Sequence, residues 1–155
     1  MNLAEIRKKT VPVNSYIENL PEPFKQKFLE RLRTYCPNPE ALNQLRMSAA
    51  KYVIVAFSAS WCKDCAVSIP VLAIISETTG LEVRVFGGLK RDFLGKEVKW
   101  RIPPSPQEVV ELKVGNIPLM ILIDVEGREI GRIVEKPTLR PTLEEEISEI
   151  ISSNN

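Results

Sequence analysis

Histidine is absent from this 155-residue chain. That absence removes His-based general acid/base catalysis, Ser-His and Cys-His nucleophile pairs, and most zinc sites. Cysteine is scarce: three residues do not make a disulfide framework, and in a reducing compartment a close pair points to catalysis or metal binding rather than to structure. Surplus charge is missing as well, with 21 basic against 20 acidic side chains, so the overall balance does not argue for nucleic acid or an anionic membrane as partner. Long apolar runs are also lacking. The longest stretch without a charged residue, Cys65 to Ser76, has twelve positions, short of the roughly 20 that a spanning helix needs. Arg7-Lys8-Lys9 is followed only by the short 10–17 segment, interrupted by Asn14 and closed by Glu18, so no secretory signal is expected and a cytoplasmic location is. The 7 Gly and 12 Pro form no repeat or low-complexity tract, which disfavours disorder.

What the chain does have is an ordinary globular content, 44% hydrophobic and 26% charged, enough for one core plus an extension. Residues 1–50 carry 8 basic and 5 acidic side chains, residues 51–105 again 8 and 5, and residues 106–155 carry 5 and 10. The first fifty residues read as helical: Phe24, Phe28, Leu32 and Cys36 recur every four positions after Pro21-Glu22-Pro23 and stop at Cys36-Pro37-Asn38-Pro39, and a second short helix is predicted from Pro39 to about Ala50. On that spacing Cys36 lies on an apolar face, which makes a buried core thiol the better reading over a regulatory third cysteine. No strand signal precedes Tyr52.

From Tyr52 the character changes. The run 52–57 is apolar and β-branched, as in a strand buried on both faces. A turn follows at 58–61, then Val67, Val71, Ile74 and Ile75 at helical spacing up to Gly80, and a second strand over 81–86; residues 52–86 thus read as a βαβ unit. Ser105-Pro106-Gln107-Glu108 has the form of a capping box opening a short helix that ends near Gly115. Segments 119–124 and 128–134 flank Val125-Glu126-Gly127 as a hairpin, and Thr142-Leu143-Glu144-Glu145 opens a terminal helix striped by Leu143, Ile147, Ile150 and Ile151. The layout is α/β with a mixed sheet.

Trp61-Cys62-Lys63-Asp64-Cys65 sits where the first strand gives way to the crossover helix. A thiol at a helix start meets free N–H groups and the positive end of the macrodipole, which favour an anion. Cys62 is therefore expected to have a lowered pKa, within the roughly 3.5–7.5 range of such sites, and Cys65, one turn inside, to be its buried partner. Lys63 favours the thiolate and Asp64 opposes it, so the sequence leaves their net effect unsigned. A structural zinc wants four ligands, and with no His and only Cys36 in reserve a Cys-and-His tetrad is out of reach; redox chemistry is the stronger reading of the pair and no metal is expected.

The run Trp61-Cys62-x-x-Cys65, with Pro70 five positions after the second Cys and Ile117-Pro118 at the start of the later hairpin, resembles the thioredoxin superfamily over residues 51–155. The resemblance implies a thioredoxin-like α/β fold for residues 51–155, a mixed central sheet with helices on both faces, to which residues 1–50 are an addition, expected as a helical extension packed on the core. It implies that Pro118 is cis beside the cysteine pair, that the Ile117 backbone pairs with an extended substrate segment, and that Trp61 borders the substrate groove rather than merely filling the core. The implied activity is thiol-disulfide exchange, with Cys62 attacking a protein disulfide and Cys65 resolving the mixed disulfide. Electrons would come from a small thiol or a disulfide reductase, with no cofactor. Two departures stand out: Lys63-Asp64 replaces the Gly-Pro of thioredoxins proper, and Ala56 occupies the place of a buried Asp, leaving Asp64 or water as proton acceptor. Ala56, together with the added N-terminal helices and the long 87–106 segment, motivates an alternative, a redox-inert or redox-sensing adaptor that keeps the fold. A thiol peroxidase is weak, since Ala59 stands where its Thr is expected. Lys90, Arg91, Lys96, Lys99 and Arg101, interleaved with Phe93 and Trp100 and diluted by Asp92 and Glu97, read as a solvated insertion loop rather than a nucleic-acid patch.

Overall fold

In the computed structural model, which describes residues 1–91, 93–94, 99–100 and 103–154, the apolar run Tyr52–Phe57 (β2) is the middle strand of a five-stranded sheet. All six of its residues are buried. A strand whose alternate side chains are all covered has neighbours on both faces, which is why it reads as a continuous apolar run. It lies parallel to Glu82–Phe86 (β3) and antiparallel to Leu119–Asp124 (β4), which in turn pairs antiparallel with Glu129–Val134 (β5). The α/β layout with a mixed sheet expected from the sequence is the one observed.

Between β2 and β3 runs the long helix Lys63–Thr79 (α5), closed by Gly80 in the left-handed region at φ 83°, a conformation glycine adopts without steric cost. Pro70 lies inside it and is buried. Val67, assigned to its apolar stripe by spacing, is 50% exposed. The terminal helix Leu143–Asn154 (α7) opens on the Thr142 and Glu145 pair the sequence announces: Thr142 Oγ1 donates to the Glu145 carboxylate at 2.8 Å and accepts from its backbone N–H at 3.3 Å.

The first fifty residues fold as Leu3–Lys9 (α1), the two-residue strand Val11–Pro12 (β1), Val13–Glu18 (α2), Phe24–Thr34 (α3) and Pro39–Ser48 (α4). β1 pairs antiparallel with β3 and completes the sheet order β1-β3-β2-β4-β5. So short a strand has no periodicity to detect, and it is fixed instead by its neighbour's side chains. Arg84 on β3 donates to the Thr10 hydroxyl and to the Arg7 and Thr10 carbonyls, while Glu82 takes a two-pronged pair from Arg7 at 2.6 and 2.9 Å. α3 packs against α5, and α4 against α5 and α7. Ile6, Val13, Ile17, Phe28 and Leu45 join the same core as β2, β4 and α5. Among the described residues no helix is long and apolar enough to cross a membrane.

Two sequence expectations fail locally. Cys36 is exposed, not buried, because α3 ends at Thr34 with Tyr35 already extended, so the four-residue spacing no longer maps Cys36 onto the helix face. Ser105 caps nothing: α6 is only Glu108–Glu111. Its hydroxyl instead clasps Lys90, accepting from the backbone N–H at 2.6 Å and donating to the carbonyl at 3.1 Å.

Candidate active site

β2 delivers the chain to the motif. One further ladder bond, Ser58 N–H to the Phe86 carbonyl at 3.1 Å, extends the pairing past Phe57, and the 58–61 turn then closes with Cys62 N–H on the Ala59 carbonyl at 3.3 Å. Cys62 is the N-cap of α5, with extended backbone at φ −80° and ψ 118°. Its sulfur does the work usually given to a Ser or Asp oxygen, accepting the Cys65 backbone N–H at 3.1 Å. Such a position stabilises a negative sulfur.

Both sulfurs are free thiols in this structure. The Cys62 thiol is held below its ordinary value, chiefly by the hydrogen bond from the Cys65 side chain and then by the Cys65 and Asp64 backbone N–H groups; burial and the Asp64 charge oppose this. The Asp64 charge thus raises the Cys62 value, and hydrogen bonding outweighs it. Lys63 and Asp64 are exposed, and the Asp64 charge is among the leading influences on Cys62. Cys65, fully buried, is pushed far up, first by desolvation and then by its bond to Cys62. The pair is therefore one thiol whose ionisation is favoured and, behind it, one whose ionisation is opposed.

Cys62 Sγ also faces the Ile117 carbonyl at 3.8 Å. The Ile117–Pro118 peptide is cis, and both residues are buried. The Pro118 carbonyl accepts from Glu135 N–H at 2.7 Å, and Ser68 on α5 donates to the Glu135 carbonyl at 3.2 Å, so the Ile117–Pro118 turn is tied back to the helix that carries the cysteines.

Trp61 is 49% exposed and leans on Trp100, with centroids 5.9 Å apart at a 34° tilt. Trp100 is 3% exposed, and its indole N–H donates to the Gly115 carbonyl at 2.5 Å. This corrects the reading of the 87–106 stretch as simply solvated: Leu89 and Trp100 belong to the core, while Phe93 and Leu94 are outside it. Lys96, Arg101, Asp92 and Glu97 lie outside the described residues. Trp61, Cys62, Lys63, Asp64, Trp100 and Ile117 line an open cleft of about 390 Å³, together with Arg91, Lys99, Asn116 and Glu135. The predicted residues Trp61, Cys62, Lys63, Asp64 and Ile117 are thus brought together there, with Cys65 behind Cys62 and Pro118 behind Ile117.

Sequence reasoning missed Trp100, Ser58 and Tyr16. Trp100 had a signal, an aromatic within a basic segment, that was assigned to solvent. Ser58 and Tyr16 had none, because the hydrogen bond that joins them at 2.9 Å spans 42 positions. Among the described residues no cluster of three or more Cys, Asp or Glu is placed to hold a metal ion.

A family model described as thioredoxin matches residues 10–147. Among solved structures, a protein of unknown function from Pseudomonas aeruginosa is similar at a TM-score of 0.76 and 15% identity, covering 100% of this chain and 99% of that one. An HIV epitope scaffold is similar at a TM-score of 0.74 and 15% identity, covering 99% of each chain. At that identity the likeness is one of fold. No curated protein matches.

Proposed function

The chain belongs to the thioredoxin family, and from that membership we propose that it is a thiol-disulfide oxidoreductase reducing protein disulfides through Cys62 and Cys65. The observation that carries the proposal is the setting of Cys62: its sulfur caps α5 at 3.1 Å from the Cys65 N–H and lies 3.8 Å from the Ile117 carbonyl of the cis Ile117–Pro118 peptide, at the floor of an open cleft. The Cys62 thiolate attacks one sulfur of the substrate disulfide, whose other sulfur leaves with the electron pair and takes a proton. Cys65 then gives up its proton and attacks Cys62 Sγ. The second substrate thiol is released and a Cys62–Cys65 disulfide remains, two electrons having passed to the substrate. Trp61, Ile117 and Pro118 frame the substrate segment, with the Ile117 backbone as its strand partner. A small thiol or a partner disulfide reductase restores the dithiol, and a reducing, cytoplasmic setting makes reduction the net direction.

Trapping tests this directly. A Cys65→Ser chain mixed with an oxidised protein substrate should accumulate a covalent complex through Cys62 that added dithiothreitol dissolves, and Cys62→Ser should form none. Absence of any complex with Cys65→Ser contradicts the proposal.

One observation favours a second reading. Ala56, fully buried, stands where the family's acid would serve the resolving thiol, which fits an adaptor whose cysteines turn over slowly. In that case Cys62→Ser leaves partner binding intact.

A further inference from the structure

Three open cavities adjoin one another around the cysteine motif through shared residues, and their charges are uneven. The Cys62 cleft includes Lys63, Arg91 and Lys99 against Asp64 and Glu135. A cavity of about 330 Å³ shares both carboxylates with it and adds Arg31 and Lys136. Another of about 370 Å³ shares Lys63 and Arg31 and adds Lys27 and Glu30. Six cations against three carboxylates exceed the chain's net charge of +1, so the rest of the chain is acidic on balance. Nor are these cations neutralised in place. The ion pairs among the described residues engage Arg7, Lys8, Lys9, Arg128, Arg132 and Arg140, and none of the six. Two of the six are fixed in position. Lys99 Nζ donates to Asn116 Oδ1 at 2.5 Å, which sets its charge one residue from Ile117. Arg31 Nε donates to the Val67 carbonyl of α5 at 3.1 Å, with its guanidinium 4.4 Å from the centre of the Tyr35 ring.

We propose that this basic rim is a docking surface for an acidic protein substrate, one whose disulfide lies among Asp and Glu side chains. The proposal rests on the oxidoreductase reading of Cys62 and Cys65 and names its substrate class. A rim of exposed charges acts on the encounter: it raises the association rate of a partner of opposite sign and slows one of like sign. Salt weakens it, because exposed charges are screened over roughly 8–10 Å at physiological ionic strength. The three carboxylates within the rim decide between kinds of anion. Glu30, Asp64 and Glu135 share cavities with the cations, so they repel the unbroken line of phosphates of a nucleic acid. An acidic peptide of mixed composition sets its carboxylates against the cations and leaves neutral side chains opposite the three acids.

The test is the second-order rate at which the pre-reduced full chain reduces a peptide with one intramolecular disulfide, its neighbouring residues all Glu, all Gln or all Lys. At low salt, about 10 mM, where the Debye length is roughly 30 Å, the Glu peptide should react about 10-fold or more faster than the Lys peptide, with the Gln peptide between them. The spread should close at about 1 M salt. Lys27→Glu combined with Lys136→Glu changes two exposed side chains outside the Cys62 cleft. This variant should slow the Glu peptide and speed the Lys peptide, while reduction of the small, neutral hydroxyethyl disulfide stays at the wild-type rate, which structural damage would not allow. Equal rates for the three peptides, or a spread that salt leaves unchanged, overturn the docking surface and leave the oxidoreductase reading standing. A single-stranded oligonucleotide that blocks the Glu peptide more strongly, charge for charge, than polyglutamate does would assign the rim to nucleic acid and overturn the proposal. Reduction of hydroxyethyl disulfide with no reduction of any peptide contradicts the proposed function, and the docking surface falls with it.

Discussion

Cys62 holds its proton less tightly than an ordinary thiol because three hydrogen-bonding influences outweigh its burial and the neighbouring Asp64 carboxylate; the largest is the bond with the Cys65 side chain. A consequence for stability follows. Between the lowered folded value and the ordinary unfolded thiol value of about 8.5, the unfolded chain keeps a proton that the folded chain has released. The Cys62 contribution is therefore lost as pH falls through the folded value and fully present above about 8.5. In reductant, the gap in melting temperature between wild type and Cys62→Ser should widen in favour of wild type as pH rises toward 8.5, as scanning calorimetry at stepped pH would show; a flat gap contradicts the assignment. At this scale the two cysteines and Ile117–Pro118 were legible in the sequence because their spacing and order are local and distinctive. The weight of the Asp64 charge on Cys62 was not, since hydrogen bonds around the sulfur outweigh it. Neither was the exposure of Cys36, which turns on α3 ending at Thr34 rather than two residues later.

The elements that hold the site in place are fastened by buried polar groups as well as by apolar stripes. Glu144, fully buried at the start of α7, accepts from the Tyr35 hydroxyl at 2.8 and 3.0 Å and from Asn38 N–H at 2.7 Å, locking α7 to the α3–α4 junction. Glu146 on the same helix collects the backbone N–H groups of Thr138, Leu139 and Arg140. Removing the Glu144 carboxylate strands two donors, so Glu144→Ala should cost roughly 1.5–3 kcal/mol. For a chain of this size each kcal/mol corresponds to about 2–4 °C in melting temperature, and Tyr35→Phe should lose less. An unchanged melt would mean that the junction is not carried by this contact. The stripes and caps of α5 and α7 were readable because periodicity and capping chemistry lie within one segment. β1 and the short α6 were not: β1 is pinned by Arg84 and Glu82 from more than seventy positions away, and Ser105 is diverted from capping by the backbone of Lys90.

At the scale of the whole molecule, the first fifty residues contribute Ile6, Val13, Ile17, Phe28, Leu42 and Leu45 to the common core, and Tyr16 to the lining of a cavity beside Trp61. We propose that this extension is packed on the 51–155 unit as an integral part of it. Burying six such side chains contributes roughly 9–18 kcal/mol, of the same order as the whole stability of a domain, about 5–15 kcal/mol. A chain of residues 51–155 alone should therefore show no cooperative urea transition, whereas a sharp transition would make the extension dispensable. The lack of His together with the Cys62–Cys65 spacing at a helix start was enough to point the chemistry to thiols. That the extension reaches the site through Tyr16 could be seen only once the chain was folded. The central claim is that Cys62 and Cys65 turn over protein disulfides, and it is tested most directly by the rate at which the dithiol form reduces a protein disulfide, wild type against Cys62→Ser under matched thiol supply. The account predicts fast reduction by wild type and none above background by the variant; equal, slow rates in both, with the wild-type thiols intact, would contradict it.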